Sequence, residues 1–435
     1  MRLSADFVSS RSGTAELAWG QRAVWGAIRD VGPDNAHYFN VPRLLAVPRA
    51  GGPRHPGAVA AALAGLVGRH DALRSLVRLG AAGPYQEVAA AGTLSIEMVE
   101  AACGDADVAG TDLVDRLAGR SFDDGEQPFR AGFVVCDGAV THVALVISHV
   151  VADWHAADIV VRDLRMLLLR GAIARPPSSQ LLDLVREEKA ASARSDRAIA
   201  QWESLLRTVP SIMFPTVVGP GATPRFARAV LSSPRLNHAA QVLARRTGVS
   251  TATVLMVAVT MLLRELTGQE TCAITPIVHN RFSDRTRGLV TCLNQLGLFA
   301  LGRGGDLAET VVSEYPAVLA AYRRARYDPL AFDVMIDRLS ADRGVPMFPS
   351  CCFNDLRPGE DPVDAGHADG ESELEWLPGT DQRSCHFCLA LMRWKGTLGV
   401  ELSADTARLP KSEMTALLQR LESFVVGSAA REIAA

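Results

Sequence analysis

The stretch Leu145-Val-Ile-Ser-His-Val-Val-Ala-Asp-Trp154 constrains the fold of this chain more than any other. An apolar strand, Val140–Ser148, runs here into a short segment carrying Ser148, His149 and Asp153. An amphipathic helix follows, with Ile159, Val160, Leu164, Leu167 and Leu168 at helical spacing. A buried strand feeding directly into a helix belongs to a layered α/β arrangement. The histidine delivered to the strand end can act as a general base or orient a nucleophile, because its unperturbed pKa lies near neutrality. The competing reading is a histidine that only packs.

At 435 residues the chain is too long for one ordinary core, so two domains or one large internally duplicated fold is expected. With 48% hydrophobic and 21% charged residues it has the composition of a folded globular protein. Its net charge of −3 supplies no basic field, so neither nucleic acid nor an anionic membrane is an expected partner. The N-terminus Met1-Arg-Leu-Ser-Ala-Asp6 lacks the apolar core of an export signal, and a cytoplasmic location is expected. The longest apolar run, Ala252–Leu263, is interrupted by Thr253 and Thr260 and reads as a buried helix.

The eight cysteines are scattered, most of them in strand-like apolar contexts that suit free, reduced thiols. Cys385-His-Phe-Cys388 has the spacing of a metal or redox pair. Its surroundings read as a strand, which would turn residues three apart to opposite faces. Cys351 and Cys352 are adjacent and make a poor second ligand pair, so no metal is expected.

In chain order the pattern gives a helix over 14–28, a strand opened by 38–42 and running through 44–47, an Ala/Leu-rich helix over 56–67, and short strands over 75–79 and 85–88. A loop over 121–130 leads to a hairpin about Asp137-Gly138. Arg175-Pro-Pro-Ser-Ser179 reads as a linker, because two prolines cannot continue a helix. It divides the chain into an N-terminal half, 1–174, and a C-terminal half, 180–435. The second half opens with polar helices around Trp202 and holds a strand over 225–231, helices over 237–247 and 251–267, and a strand over 272–278. An apolar, strand-rich stretch covers 288–301. Helices over 316–324 and 329–339, a strand over 351–355, an exposed loop over 359–373, a hairpin about Gly396 and a closing helix over 411–426 complete it.

Taken together, the order of motifs resembles the condensation-domain superfamily of nonribosomal peptide synthetases over nearly the whole chain. Gly20-Gln21…Trp25 looks like the first motif of that family, and Arg69-His-Asp-Ala-Leu-Arg74 is close to its RHExLR element. Phe122-Asp…Pro128-Phe-Arg130 looks like the loop before the active-site hairpin, and Ser148-His-Val-Val-Ala-Asp-Trp154 aligns with the active-site HHxxxDG. Asp183, Trp202, Thr267-Gly-Gln269, Asn280-Arg281 and Leu293-Asn294 follow in the family's order. The resemblance implies two chloramphenicol-acetyltransferase-like α/β sandwich halves arranged as a V-shaped pseudo-dimer, with a tunnel between them. It also implies that carrier proteins present acyl groups on phosphopantetheine arms, so that the chain itself binds no cofactor. His149 takes the place of the family's catalytic histidine. Asp153 takes that of a structural aspartate paired with an arginine of the C-terminal half, here Arg281, and Asn294 that of a tunnel-floor polar group.

Two signature positions depart from the family, Ser148 for the first histidine and Trp154 for the glycine. A Ser148–His149–Asp153 triad is disfavoured, because adjacent strand residues point to opposite faces. An indole at position 154 either shapes a channel for an unusual substrate or blocks it. With no adenylation or carrier region flanking the fold, a free-standing condensation enzyme is expected, joining a carrier-bound acyl thioester to an amine or alcohol as an amide or ester. The alternative is a non-catalytic module that binds carrier proteins or recruits a tailoring enzyme. His70 and Arg74 read as packing residues, His155 as solvated, and His386 as a strand residue.

Overall fold

Strand- and helix-forming stretches build two α/β units, Met1–Ser192 with His279–Asn294, and Ala193–Val278 with Gln295–Ala435. The computed structural model describes residues 1–81, 83–123, 125–302, 304–348, 351–357, 370–381, 383 and 385–431.

The first unit runs β1 (Arg2–Val8), β2 (Gly13–Glu16), α1 (Trp19–Val31), β3 (Asn40–Ala46), α2 (Pro56–Arg69), β4 (Ser75–Gly80), β5 (Gly83–Val88) and β6 (Ala91–Glu100). It continues with α3 (Ala106–Ala118), β7 (Phe129–Cys136), β8 (Ala139–Ser148), α4 (Trp154–Arg170) and α5 (Leu181–Ala190). Its main sheet has the order β1-β6-β7-β8-β3, and β2, β5 and β4 form a second, three-stranded sheet. Strand β8 lies inside the main sheet and is covered on both faces, which is why its sequence is apolar almost without break. Val143, Leu145 and Ile147 enter the core shared with α2 and α4. Ala144 and Val146 enter a smaller core with Leu113 and Val114 of α3.

The second unit holds α6 (Ser192–Leu206), β9 (Phe226–Ser232), α7 (Pro234–Thr247), α8 (Thr251–Thr267) and β10 (Cys272–Val278). From β10 the chain crosses to the first unit, makes the one-turn helix α9 (Asp284–Arg287), and returns as β11 (Gln295–Leu296) and β12 (Phe299–Leu301). Helices α10 (Leu307–Arg323) and α11 (Pro329–Arg343), strands β13 (Cys351–Asp355), β14 (Glu373–Thr380), β15 (Phe387–Trp394) and β16 (Thr397–Asp405), and helix α12 (Lys411–Arg431) complete it. The sheet order is β11-β10-β13-β15-β16-β9-β14, with β12 also on β10. Helix α8 is buried from Thr251 to Leu263, as its apolar run requires. No single helix among the described residues is long and apolar enough to cross a membrane.

The division between units falls elsewhere than the proline pair suggested. Helix α5 lies beyond Pro176-Pro177, yet Leu181 and Leu184 are buried in the first core, and the Asp183 carboxylate accepts from Arg11 at 3.0 Å. The break therefore comes after Ser192, and His279–Asn294 is a second departure from a simple two-part chain. Leu289, Val290 and Leu293 of that segment are buried in the first core. The expected 14–28 helix is a short strand followed by α1, and the strand-rich 288–301 stretch holds only β11 and β12. Strands β1, β6 and β14 and helix α3 had no counterpart in the sequence reading. Most of the 359–373 loop lies outside the described residues.

Candidate active site

Strand β8 ends at Ser148, opposite Asn40 on β3, and the chain turns through 149–152 into α4. The backbone N–H of Val151 and Ala152 both return to the Ser148 carbonyl, at 3.0 and 3.2 Å, which sets a tight turn. His149 is half-buried within it. Its Nδ1 is 3.1 Å from the Ala152 carbonyl, so Nδ1 carries the proton and donates, and Nε2 is left with the lone pair. Burial pushes the imidazole pKa below its ordinary value, and the charge of Asp153 and the Ala152 carbonyl offset this only in part. The ring is therefore neutral at neutral pH. Phe39 lies 6.4 Å away, centroid to centroid.

Asp153 caps α4, its Oδ1 accepting from the Ala156 N–H at 2.8 Å. Its Oδ2 accepts from the Arg281 guanidinium at 2.6 Å and from the Leu293 N–H at 2.9 Å. Burial opposes ionisation of this carboxyl. The Arg281 charge and hydrogen bond and the two backbone donors outweigh that, and hold its pKa below the ordinary carboxylate value. Arg281 also donates to the carbonyls of His279 (3.1 Å), Leu289 (3.3 Å) and Thr291 (2.9 Å), so one buried guanidinium organises the whole inserted segment. Asn280 adopts φ 53° and its side-chain amide donates to Leu293 O at 2.9 Å. The expected Asp153–Arg281 pair is thus present. It lies inside the first unit rather than joining the two, because its segment packs there.

Asn294, half-buried, ends that segment beside Leu293, and its backbone bonds to the Cys292 thiol. Ser148, His149, Asp153, Trp154, Arg281 and Asn294 are all residues of the first unit. No hydrogen bond joins Ser148, His149 and Asp153 as a triad: the histidine is held by Ala152 and the aspartate by Arg281, Leu293 and Ala156. Trp154 is the first residue of α4 and stays 40% exposed. The Arg43 guanidinium sits 4.4 Å from its ring centroid, and Arg43 also donates to Trp154 O and to Asp158, both at 2.9 Å. The indole is thereby fixed by β3. Nothing in the sequence pattern marked Arg43 or the Ala152 carbonyl; only the β3–β8 register and the turn bring them here.

The remaining motifs build the frame. Asp71 is buried and accepts from Arg74 at 2.6 Å and Arg11 at 3.2 Å, while Gln180 caps its N–H. His70 Nε2 lies 3.1 Å from Asp163 of α4, tying the end of α2 to the helix that Asp153 caps. Arg130 pairs with Glu126 at 2.7 Å and lies 3.9 Å over the Phe122 ring, which fastens the loop before β7. Gln21 hydrogen-bonds Gln86, and Gly20 passes so close to residue 292 that a Cβ there would lie 2.5 Å from its carbonyl. His155 packs edge-on against His279 at 4.7 Å. In the second unit Trp202 packs on Tyr327 and Phe332, and Gly268 closes α8 with φ 64°.

This arrangement, a strand-end histidine held by the Ala152 carbonyl and a neighbouring aspartate locked by an arginine, coincides with a sequence match: the condensation domain family profile covers residues 27–300. The chain belongs to the condensation domain family. Condensation domains generally are acyltransferases that form amide or ester bonds between carrier-bound substrates. The chain is 26% identical over 339 residues to chondramide synthase of Chondromyces crocatus, matching over 74% of its own length and only 8% of that protein. In structure it is similar to the condensation domain of chain release from the enacyloxin polyketide synthase. That likeness has a TM-score of 0.75 at 20% identity, over 97% of this chain and 83% of that one. An X-domain solved in complex with OxyB from teicoplanin biosynthesis matches with a TM-score of 0.70 at 14% identity, over 98% and 95% of the two chains. The two α/β units are those of the chloramphenicol-acetyltransferase-like fold shared by these condensation domains.

Proposed function

We propose that this condensation domain is catalytically competent and joins a carrier-bound acyl thioester to an amine or alcohol acceptor. The observation that carries the reading is the His149 geometry: Nδ1–H held by Ala152 O, a depressed pKa, and Nε2 unprotonated at neutral pH. Nε2 accepts the proton of the acceptor N–H or O–H as that atom attacks the thioester carbonyl. The tetrahedral adduct collapses to amide or ester, and the expelled pantetheine thiolate recovers the proton from the imidazolium. Asp153 takes no proton; with Arg281 it holds the turn that aims His149. Substrate arrives on the phosphopantetheine arm of a carrier protein, so the domain needs no cofactor of its own for these steps.

The test is product formation from an acyl-loaded carrier and candidate acceptors, with His149→Ala beside the wild type. Loss of the general base is expected to slow turnover by about 10²–10⁴-fold, and equal rates refute the reading. A non-catalytic role, holding carriers or recruiting a tailoring enzyme, is favoured by one observation: Trp154 replaces a glycine and is braced by Arg43. If the indole disables turnover, the wild type is inactive and Trp154→Gly gains activity. If the first reading holds, the wild type turns over and Trp154→Gly lowers the rate.

A further inference from the structure

Beside its buried stripe of Ser195, Ala198, Trp202 and Leu206, helix α6 carries a polar one at helical spacing: Arg194, Arg197, Gln201 and Ser204. Opposite lie the end of α10 and the segment after it, with Arg323, Arg324 and Arg326. These two walls form a cavity of about 470 Å³, a size within the range of small-ligand sites. All of its lining residues belong to the second unit, and none of them is acidic.

The backbone behind both walls is fixed. Ala325 and Tyr327 are buried and alternate with Arg324 and Arg326, and Tyr327 packs against Trp202 of α6. The Gln295 side chain donates to Tyr327 O at 2.7 Å, and Ser195 Oγ accepts from the Asp328 N–H at 2.8 Å. Five guanidiniums thus line one cavity of a chain whose net charge is −3. Among the described residues, Arg194, Arg197, Arg323 and Arg324 have no salt bridge. Arg207 and Arg338 nearby in sequence and fold share Glu203, each at 2.6 Å, so the acid of α6 that could have served the cavity is engaged elsewhere. Burial, and then the charges of Arg326 and Arg197, push the Arg194 pKa below its ordinary value, which is the mark of a cluster that repels itself.

A guanidinium matches a phosphate with two parallel N–H donors. Several of them around one cavity suit an anion whose charges lie close together. The adjoining apolar slot shares Gln201 and Arg324 and measures about 60 Å³, the liquid volume of about two waters. It is too small for an acyl chain, so the ligand is charged over most of its length. We propose that the α6–α10 cavity binds an oligophosphate, either inorganic or the phosphate chain of a nucleotide. None of its residues belongs to the His149 turn, so the assignment is independent of whether that turn is catalytic.

The test is isothermal titration calorimetry on the full chain at about 0.15 M ionic strength, with tripolyphosphate, ATP and orthophosphate as probes. A single saturable site for tripolyphosphate is expected, about tenfold tighter than for orthophosphate. Arg197 and Arg324 are exposed residues of opposite walls, so truncating them leaves the core intact. Arg197→Ala and Arg324→Ala are each expected to weaken binding about tenfold, whereas Arg420→Ala, which removes an arginine paired with Glu265 and outside the lining, leaves it unchanged. Tighter binding of ATP than of tripolyphosphate supports the site with a nucleotide as its source, and equal or weaker binding supports it with the phosphate chain alone as the recognised group. Failure of tripolyphosphate and ATP alike to saturate the protein at millimolar concentration overturns the proposal, as does binding that neither Arg197→Ala nor Arg324→Ala weakens. Displacement of tripolyphosphate by an equal concentration of hexaglutamate also overturns it, and would mark the cavity as a seat for an acidic protein segment.

Discussion

At the residue scale the site rests on two neighbours with opposite tasks. His149 is kept neutral by burial, and Asp153 is kept ionised by Arg281. The signs separate their pH effects. A histidine whose folded pKa is depressed costs stability on acidification, because the unfolded chain binds the proton more readily; this loss begins as pH falls through the ordinary imidazole value of about 6.5. The depressed carboxyl of Asp153 contributes stability that is intact above the ordinary carboxylate value and is lost as pH falls through its folded pKa. In a kcat/KM profile the acid limb, reporting His149, is expected below about 6.5; a limb above that value contradicts a neutral, buried base. Removing the charge partner with Arg281→Met leaves Asp153 buried and unpaired, and should cost about 3–5 kcal/mol in urea unfolding. Motif order singled out His149, Asp153 and Arg281. It gave no hint that a backbone carbonyl sets the tautomer, since every residue type offers one.

At the element scale, a glycine fixes how the inserted segment meets α1. Gly20 has the Cys292 carbonyl where a Cβ would stand, and all three contact atoms, from Cys292 and Leu293, are backbone with little room to yield. Gly20→Ala is expected to destabilise the protein by about 1–3 kcal/mol, read from denaturant midpoints, whereas Gly57→Ala, with open space at its Cβ, serves as the control. The elements read correctly from sequence were those with strong apolar periodicity, such as β8, α8 and β10. Those missed had weak patterns for physical reasons. Strand β1 is an edge strand with a single buried residue, Phe7, and β14 occupies the other sheet's edge with polar residues along it. Helix α3 sends only Ala106, Leu113 and Val114 fully into a small core, so its apolar pattern is weak. The Cys385–Cys388 segment was misread because strand alternation was applied two residues before the strand begins.

At the scale of the whole molecule, motif order conveyed the family and the two α/β units, while the proline pair misplaced the break between them. A linker-like composition reports a chain that cannot be helical, not one that separates cores, and Gln180–Glu188 still bonds back to the first unit. The inserted His279–Asn294 segment has a further consequence for how the protein comes into being on the ribosome. The first 192 residues emerge lacking three side chains of their own core, Leu289, Val290 and Leu293, and the guanidinium that neutralises Asp153. Those groups are separated from Ser192 by the 86 residues Ala193–Val278, which take roughly 4–17 s to translate at about 5–20 residues per second. The amino-terminal unit therefore cannot finish folding until Ala193–Val278 and the inserted segment have been made. A 1–192 fragment is expected to bind a hydrophobic dye and show broadened amide spectra. A sharp, native-like spectrum from it would mean the segment is dispensable. Synthesis thus makes the turn that carries His149 and Asp153 wait for a segment produced well after the rest of its unit.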